Sequence, residues 1–235
     1  MSTIQVIKNL VLNAIAPLEA RGILAITMRK KIVPAHITRD IAIHRKRSFC
    51  PFAHFDVAYR ALKHIDDRGI EGDVVLCGVA RGGLAKFMLT RLRPDRSIWL
   101  YDTFDGGSLP TEKDGELERK NGEYIKRVMA TSAAVVQCYV DNGSGQCQWV
   151  IGDIMKTIPA RMPEKIAFLY LDTDWYESTR HELVHLEPLV SQGGIIVQDD
   201  MGLCVGAAKA VEEYYGKHSP FIVPIDEAGC VWMKL

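Results

Sequence analysis

IAFLYLDTDWYESTRHELVHLEPLVSQGGIIVQDD, residues 166–200, opens with an apolar run, Ile166 to Leu171, that stops at two acids one residue apart, Asp172 and Asp174. A segment of helical character follows, and then a second apolar run, Gly194 to Val197, stops at Asp199 and Asp200. Short continuous apolar runs joined by a helix read as two buried parallel strands. In an open α/β sheet the carboxyl ends of neighbouring strands face one crevice, so four carboxylates are expected to share a small volume. Such a cluster is unfavourable unless a cation neutralises it. All-oxygen ligation selects a hard ion, magnesium first, with manganese or calcium as alternatives. A structural reading stands beside this one: Asp174, with Glu177 three positions on, fits a capping box, and Asp199 and Asp200 open a loop. Two acidic clusters at successive strand ends favour the site.

At 235 residues the chain suits one large α/β domain with a full core. Lys and Arg number 29, as do Asp and Glu, and the zero net charge argues against broad nucleic-acid binding. Six cysteines, at 50, 77, 138, 147, 204 and 230, form no C-x-x-C pair, which points to reduced thiols in a cytoplasmic protein. No apolar run approaches a membrane span, and no secretory leader is visible.

Outward from the central stretch, the sequence divides into an N-terminal helical and lid segment, 1–69, and a ligand-binding catalytic domain, 70–235. Residues 3–20 have the spacing of an amphipathic helix. Residues 29–47 turn basic: either a solvated segment, or a lid or an arm toward a second copy of the chain. A helix is expected over Phe55–Ile70. The α/β alternation begins with a strand at Asp73–Val79 and a helix to about Leu92, then a strand Ile98–Tyr101 ending in Asp102. Residues 105–123 read as an active-site loop or disorder, followed by a helix to about Val136 and a strand Gln148–Ile151 closed by Gly152 and Asp153. After a helix Val205–Tyr215 come two strands, Phe221–Ile225 and Cys230–Leu235. Only four residues part them, so they form an antiparallel hairpin ending an otherwise parallel sheet.

Gly78, Gly82 and Gly83 stand where the first strand turns into its helix, letting backbone approach a ligand. Their spacing matches neither the dinucleotide fingerprint G-x-G-x-x-G nor a P-loop. Asp102, an acid ending the second strand about 20 residues on, is placed to accept from a ribose diol, which implies a nucleoside-containing cofactor. Asp153 fits either an acceptor for an adenine amino group or a turn.

Gly78-Val-Ala-Arg-Gly-Gly83, Asp102-Thr-Phe104, Gly152 with Thr157-Ile-Pro159, Asp172-Thr-Asp-Trp-Tyr-Glu-Ser-Thr179 and Gly193-Gly-Ile-Ile-Val-Gln-Asp-Asp200 together resemble, in order, the macrocin O-methyltransferase family over roughly residues 70–215. The resemblance implies a Rossmann-like class I methyltransferase fold with a seven-stranded sheet and a reversed last strand. It implies S-adenosylmethionine and magnesium as cofactors and a small-molecule hydroxyl as acceptor, on a sugar of a glycosylated natural product. It makes Asp172, Asp199 and Asp200 the metal ligands, Asp174 the proton acceptor, and Gly78, Arg81, Gly82, Asp102 and Asp153 the cofactor-binding set. An ion held by three carboxylates keeps open positions, two of which adjacent hydroxyls can fill, so a vicinal diol is the expected acceptor.

One motif points elsewhere. His181-Glu182-Leu-Val-His185 is the H-E-x-x-H signature of zinc proteases, but Pro188 ends the helix soon after and no third ligand follows at the expected spacing. A zinc hydrolase and a catalytically inactive nucleoside-binding subunit are the two rival readings.

Overall fold

The computed structural model describes residues 33–141 and 143–235. The helix expected over residues 3–20, and residues 29–32 of the basic segment, lie outside the described residues. Two compact units divide the chain, 1–43 and 44–235. In the first, the described part is mostly helix α1 (Ala35–His44), whose last residue belongs to the second unit.

In the second unit, helix α2 (Phe52–Asp67) packs on the sheet. Its buried face carries Phe55, Ala58, Ala61, Leu62 and Ile65 at helical spacing. The helix starts three residues before the expected Phe55, with Pro51 as the residue before its first turn, where a missing N–H costs nothing.

Seven strands form one sheet: β1 (Asp73–Cys77), β2 (Ile98–Asp102), β3 (Cys147–Ile151), β4 (Ile166–Leu171), β5 (Val190–Gln198), β6 (Val223–Pro224) and β7 (Cys230–Met233), in the order β3-β2-β1-β4-β5-β7-β6. Neighbours among β1 to β5 pair in parallel, while β7 runs antiparallel to both β5 and β6. The hairpin read from the short 226–229 connection is present, but β6 is only two residues long. Pro224 cannot donate to a ladder, which confines it to this edge. Every residue of β4 is buried, as is β1 from Val74 to Cys77, which accounts for their uninterrupted apolar sequences. β5 begins four residues before the expected Gly194: its register with β4 shifts between Ile166 and Phe168, and Gly193, at φ +79°, lies in the irregular part.

The helices between strands are α3 (Gly83–Leu89), α4 (Glu116–Met129), α5 (Ala133–Val140), α6 (Ile154–Ala160), α7 (Tyr176–Leu186) and α8 (Val205–Tyr215). The single helix expected to end near Val136 is two, parted where Ala130 turns extended and Thr131 N–H donates to Phe104 O at 3.0 Å. α4 also occupies part of the 105–123 segment expected as loop or disorder.

A row of backbone hydrogen bonds extends the parallel ladder one step past the strands. Gly78 N donates to Tyr101 O, Gly152 N to Asp102 O, Asp172 N to Cys77 O and Asp199 N to Leu171 O, all at 2.9–3.0 Å. Gly78 is required here: at φ +87°, a Cβ would fall 1.9 Å from Asp172 O.

Beneath this edge α7 buries an acid. Glu182 is fully buried, accepts from Thr173 Oγ1 at 2.9 Å, and leaves Oε2 without a partner. Burial pushes its pKa up to about 8, against lowering by the Thr173 and Cys77 hydrogen bonds. The native state thus holds this proton more tightly than the unfolded chain, whose Glu titrates near 4.5. Its contribution to stability is full below that value and is lost as pH rises through about 8. Glu182→Gln, which keeps the acceptor for Thr173, should therefore gain melting temperature relative to the native chain as pH is raised from 5 to 8. Parallel melting curves across that range would contradict the assignment.

Candidate active site

The carboxyl edge of the sheet opens into a cleft. It lies where β1 and β4 meet, since the chain winds from β1 toward β2 and β3 on one side and toward β5 on the other. This is the switch point at which open α/β sheets bind ligands. Gly78, Asp102 and Asp153 line it on one side, and Asp172, Asp174 and Trp175 on the other.

Asp102 grips the loop after β1. Its Oδ2 accepts from the N–H groups of Val79 and Ala80 at 2.7 and 2.8 Å, and its Oδ1 from Phe104 N at 2.7 Å. Burial raises its pKa on balance, although these three donors favour the charged form. A carboxylate has about four acceptor positions, so one remains for a ligand hydroxyl. Asp153 makes the turn contact foreseen as one of its two readings: it caps α6, accepting from Met155 N at 3.0 Å, while still lining the cleft. Arg81 and Gly82 of the predicted cofactor set are not on the cleft wall. Arg81 is exposed with its guanidinium 4.7 Å above the Phe49 ring, and a Cβ on Gly82 would run into Val140 and Val136 of α5, so that glycine serves packing.

The chain turns left-handed at three non-glycine residues among those described: Ala80, Phe104 and Asp174, with φ between 48° and 65°. They follow β1, β2 and β4, and each is at or beside the cleft. Such backbone costs about 1–3 kcal/mol per residue and marks functional turns. For Asp174 it also settles the capping question. The residue preceding α7 is Trp175, and Asp114 supplies the cap, its Oδ1 accepting from Tyr176 N at 2.8 Å across 62 positions of sequence. Trp175 Nε1 donates to Ser108 O at 3.0 Å, so the 103–115 loop is tied to the same turn.

The four predicted acids converge, in two neighbouring groups. Asp172 and Asp199 gather with Cys50, and Asp174 and Asp200 with Cys204, the ligand atoms within each group lying within 4.8 Å of one another. The predicted trio Asp172, Asp199 and Asp200 is thus divided between the groups. Burial first, then the neighbouring carboxylates, raises the pKa of Asp172 and Asp200 well above the ordinary range. Asp174 is raised as well, by burial, against a hydrogen bond with Asp200. Asp200 Oδ2 is buried with no hydrogen-bond partner, an oxygen whose environment fits a cation.

Behind Asp199 lie residues that the sequence reading passed over. Its Oδ1 receives the Tyr170 hydroxyl and His54 Nδ1 in short hydrogen bonds. His54 stands four and seven residues before Ala58 and Ala61, on the same buried helix face, and that spacing was the available signal. Tyr170, inside the apolar run, and the two cysteines carry no such signal.

His181 and His185 do not assemble a metal site. Their ring centroids are 4.2 Å apart, but His185 Nδ1 bonds to His181 O at 2.8 Å, Glu182 turns into the core, and no group of three ligands among the described residues includes either histidine.

Comparison with known proteins agrees with the architecture. A profile of the family described as macrocin-O-methyltransferase (TylF) matches residues 53–234. The chain is 33% identical over 179 residues to mycinamicin III 3''-O-methyltransferase of Micromonospora griseorubida, covering 71% of this chain and 70% of that one. It is 30% identical over 185 residues to demethyldecarbamoylnovobiocin O-methyltransferase of Streptomyces niveus, covering 74% and 71%. The solved structure of the O-methyltransferase NovP superposes with a TM-score of 0.73 at 28% identity, over 80% of this chain and 82% of that one. With its seven-stranded sheet and reversed C-terminal strand, the chain belongs to the macrocin O-methyltransferase family and is an O-methyltransferase.

Proposed function

We propose that the chain transfers a methyl group from S-adenosylmethionine to a hydroxyl of a sugar in a glycosylated natural product, with magnesium at the carboxylate cluster. The observation that carries the reading is the convergence of four carboxylates, Asp172 and Asp174 on the wall of a cleft and Asp199 and Asp200 grouped with them, opposite a glycine loop clamped by Asp102. The relatives named above act on antibiotic glycosides, and the six unpaired cysteines suit a reducing compartment such as the cytoplasm.

Asp172, Asp199 and Asp200 would hold the ion, and Gly78, Asp102 and Asp153 would hold the nucleoside end of the cofactor. When bound, S-adenosylmethionine supplies an electrophilic methyl group and magnesium acidifies the hydroxyl that receives it. Asp174 takes the hydroxyl proton, as a carboxylate on the cleft wall beside the metal ligands. Its left-handed backbone turns it into the cleft at the end of β4. Trp175 and the tethered 103–115 loop limit water around the reacting atoms and orient the acceptor.

Two experiments test this reading. In a methyl-transfer assay with a sugar acceptor, Asp199→Asn should lower kcat/KM by at least about 100-fold, whereas His181→Ala with His185→Ala should stay within about threefold of the native enzyme. Chelator-resistant activity, or tightly bound zinc that disappears with the two histidines, would overturn the magnesium assignment. The second compares a vicinal diol with its deoxy analogue. A lone hydroxyl is free to rotate away from the base, so the analogue should lose at least about tenfold in kcat/KM, or roughly 1.4 kcal/mol. Equal rates at saturating magnesium would show that the neighbouring hydroxyl takes no part.

A further inference from the structure

Helix α2 carries one polar side chain into the carboxyl edge of the sheet. His54 is fully buried, and both ring nitrogens meet carboxylates: Nδ1 at Asp199 Oδ1, and Nε2 at Asp226 Oδ1, 3.1 Å away. Nδ1 also lies 2.9 Å from the Tyr170 hydroxyl. Tyr170 gives its one proton to Asp199 Oδ1, and the single Nδ1–H points at the same oxygen with the phenolic oxygen as its weaker, shared acceptor. Two donors thus converge on one oxygen of Asp199, leaving Oδ2 for a cation.

The other end of the ring is anchored as firmly. Asp226 belongs to the turn between β6 and β7, where its Oδ1 also accepts from Ala228 N and Gly229 N at 3.0 Å each. A Cβ on Gly229 would fall 2.5 Å from the imidazole Cε1, so only glycine lets the turn close on His54. The C-terminal hairpin, far from β1 in sequence, is in this way connected to the acid cluster.

We propose that His54 is a positioning residue that holds Asp199 in its metal-ligating orientation, and that Asp226 in the hairpin turn fixes the imidazole for that task. The inference rests on the reading of Asp199 as a magnesium ligand. Outer partners of metal ligands typically contribute about 10–100-fold in metal affinity.

The test is binding of Mn²⁺ to the full chain, followed by electron paramagnetic resonance, with calorimetric binding of S-adenosylhomocysteine as the measure of an intact fold. The native chain should bind Mn²⁺ and Asp199→Asn should not. His54→Ala should weaken Mn²⁺ binding by about 10–100-fold with S-adenosylhomocysteine affinity unchanged. His54→Asn places an amide N–H where Nδ1 was and should restore affinity to within about threefold, whereas His54→Gln, whose amide reaches toward the Nε2 position, should not. Native Mn²⁺ affinity in His54→Ala would overturn the proposal. Should that variant fail to fold, equal affinities in His54→Asn and His54→Gln would overturn it instead. Absence of Mn²⁺ binding in the native chain removes the metal reading itself, and this inference with it; that outcome is recognisable because it needs no variant.

Discussion

The site depends on one row of backbone hydrogen bonds running across the sheet just beyond its strands. Those bonds bring Gly78, Gly152, Asp172 and Asp199 into line on the carboxyl edge, with Asp102 supplying the carbonyl that Gly152 meets. Parallel pairing makes this alignment rigid, because each strand's exit is set by its neighbour and the strands beneath are buried. Side chains at four strand ends therefore face one cleft without any contact between them being needed to put them there.

Convergence has an electrostatic cost. Four carboxylates in a partly buried volume repel one another, and desolvation adds to the penalty, as the raised pKa values of Asp172, Asp174 and Asp200 express. The surrounding protein offsets only part of it: Asp199 receives Tyr170 and His54, while Asp200 Oδ2 receives nothing. The left-handed turns at Ala80, Phe104 and Asp174 add backbone strain at the same edge. A fold that keeps these costs together at one place is organised for a ligand that relieves them.

Much of this was legible in the residues. Apolar runs ending in acids located β4, β5 and the cluster, and the four-residue spacing before Cys230 required the antiparallel hairpin. Less legible were features made by distant partners. Asp174 with Glu177 has the form of a local cap, yet the cap is Asp114, because its carboxylate reaches the Tyr176 amide from another loop. Gly82 resembles a cofactor glycine, yet its space is taken by Val136 and Val140. β5 begins earlier than its apolar run because pairing with β4 continues through a glycine irregularity that reads as a turn.

The sequence by itself determined the alternation of strands and helices, the reversed end of the sheet and the family, since these follow from hydrophobic period, connection length and motif, all local quantities. Only the tertiary structure decided how the acids divide between Cys50 and Cys204, and that His54, Tyr170 and Asp226 stand behind Asp199. Those contacts join α2, β4, β5 and the last hairpin, 116 to 172 positions apart in the chain. Residues so far apart meet only when the sheet has assembled, and no periodicity in the sequence encodes which polar side chains will then be neighbours.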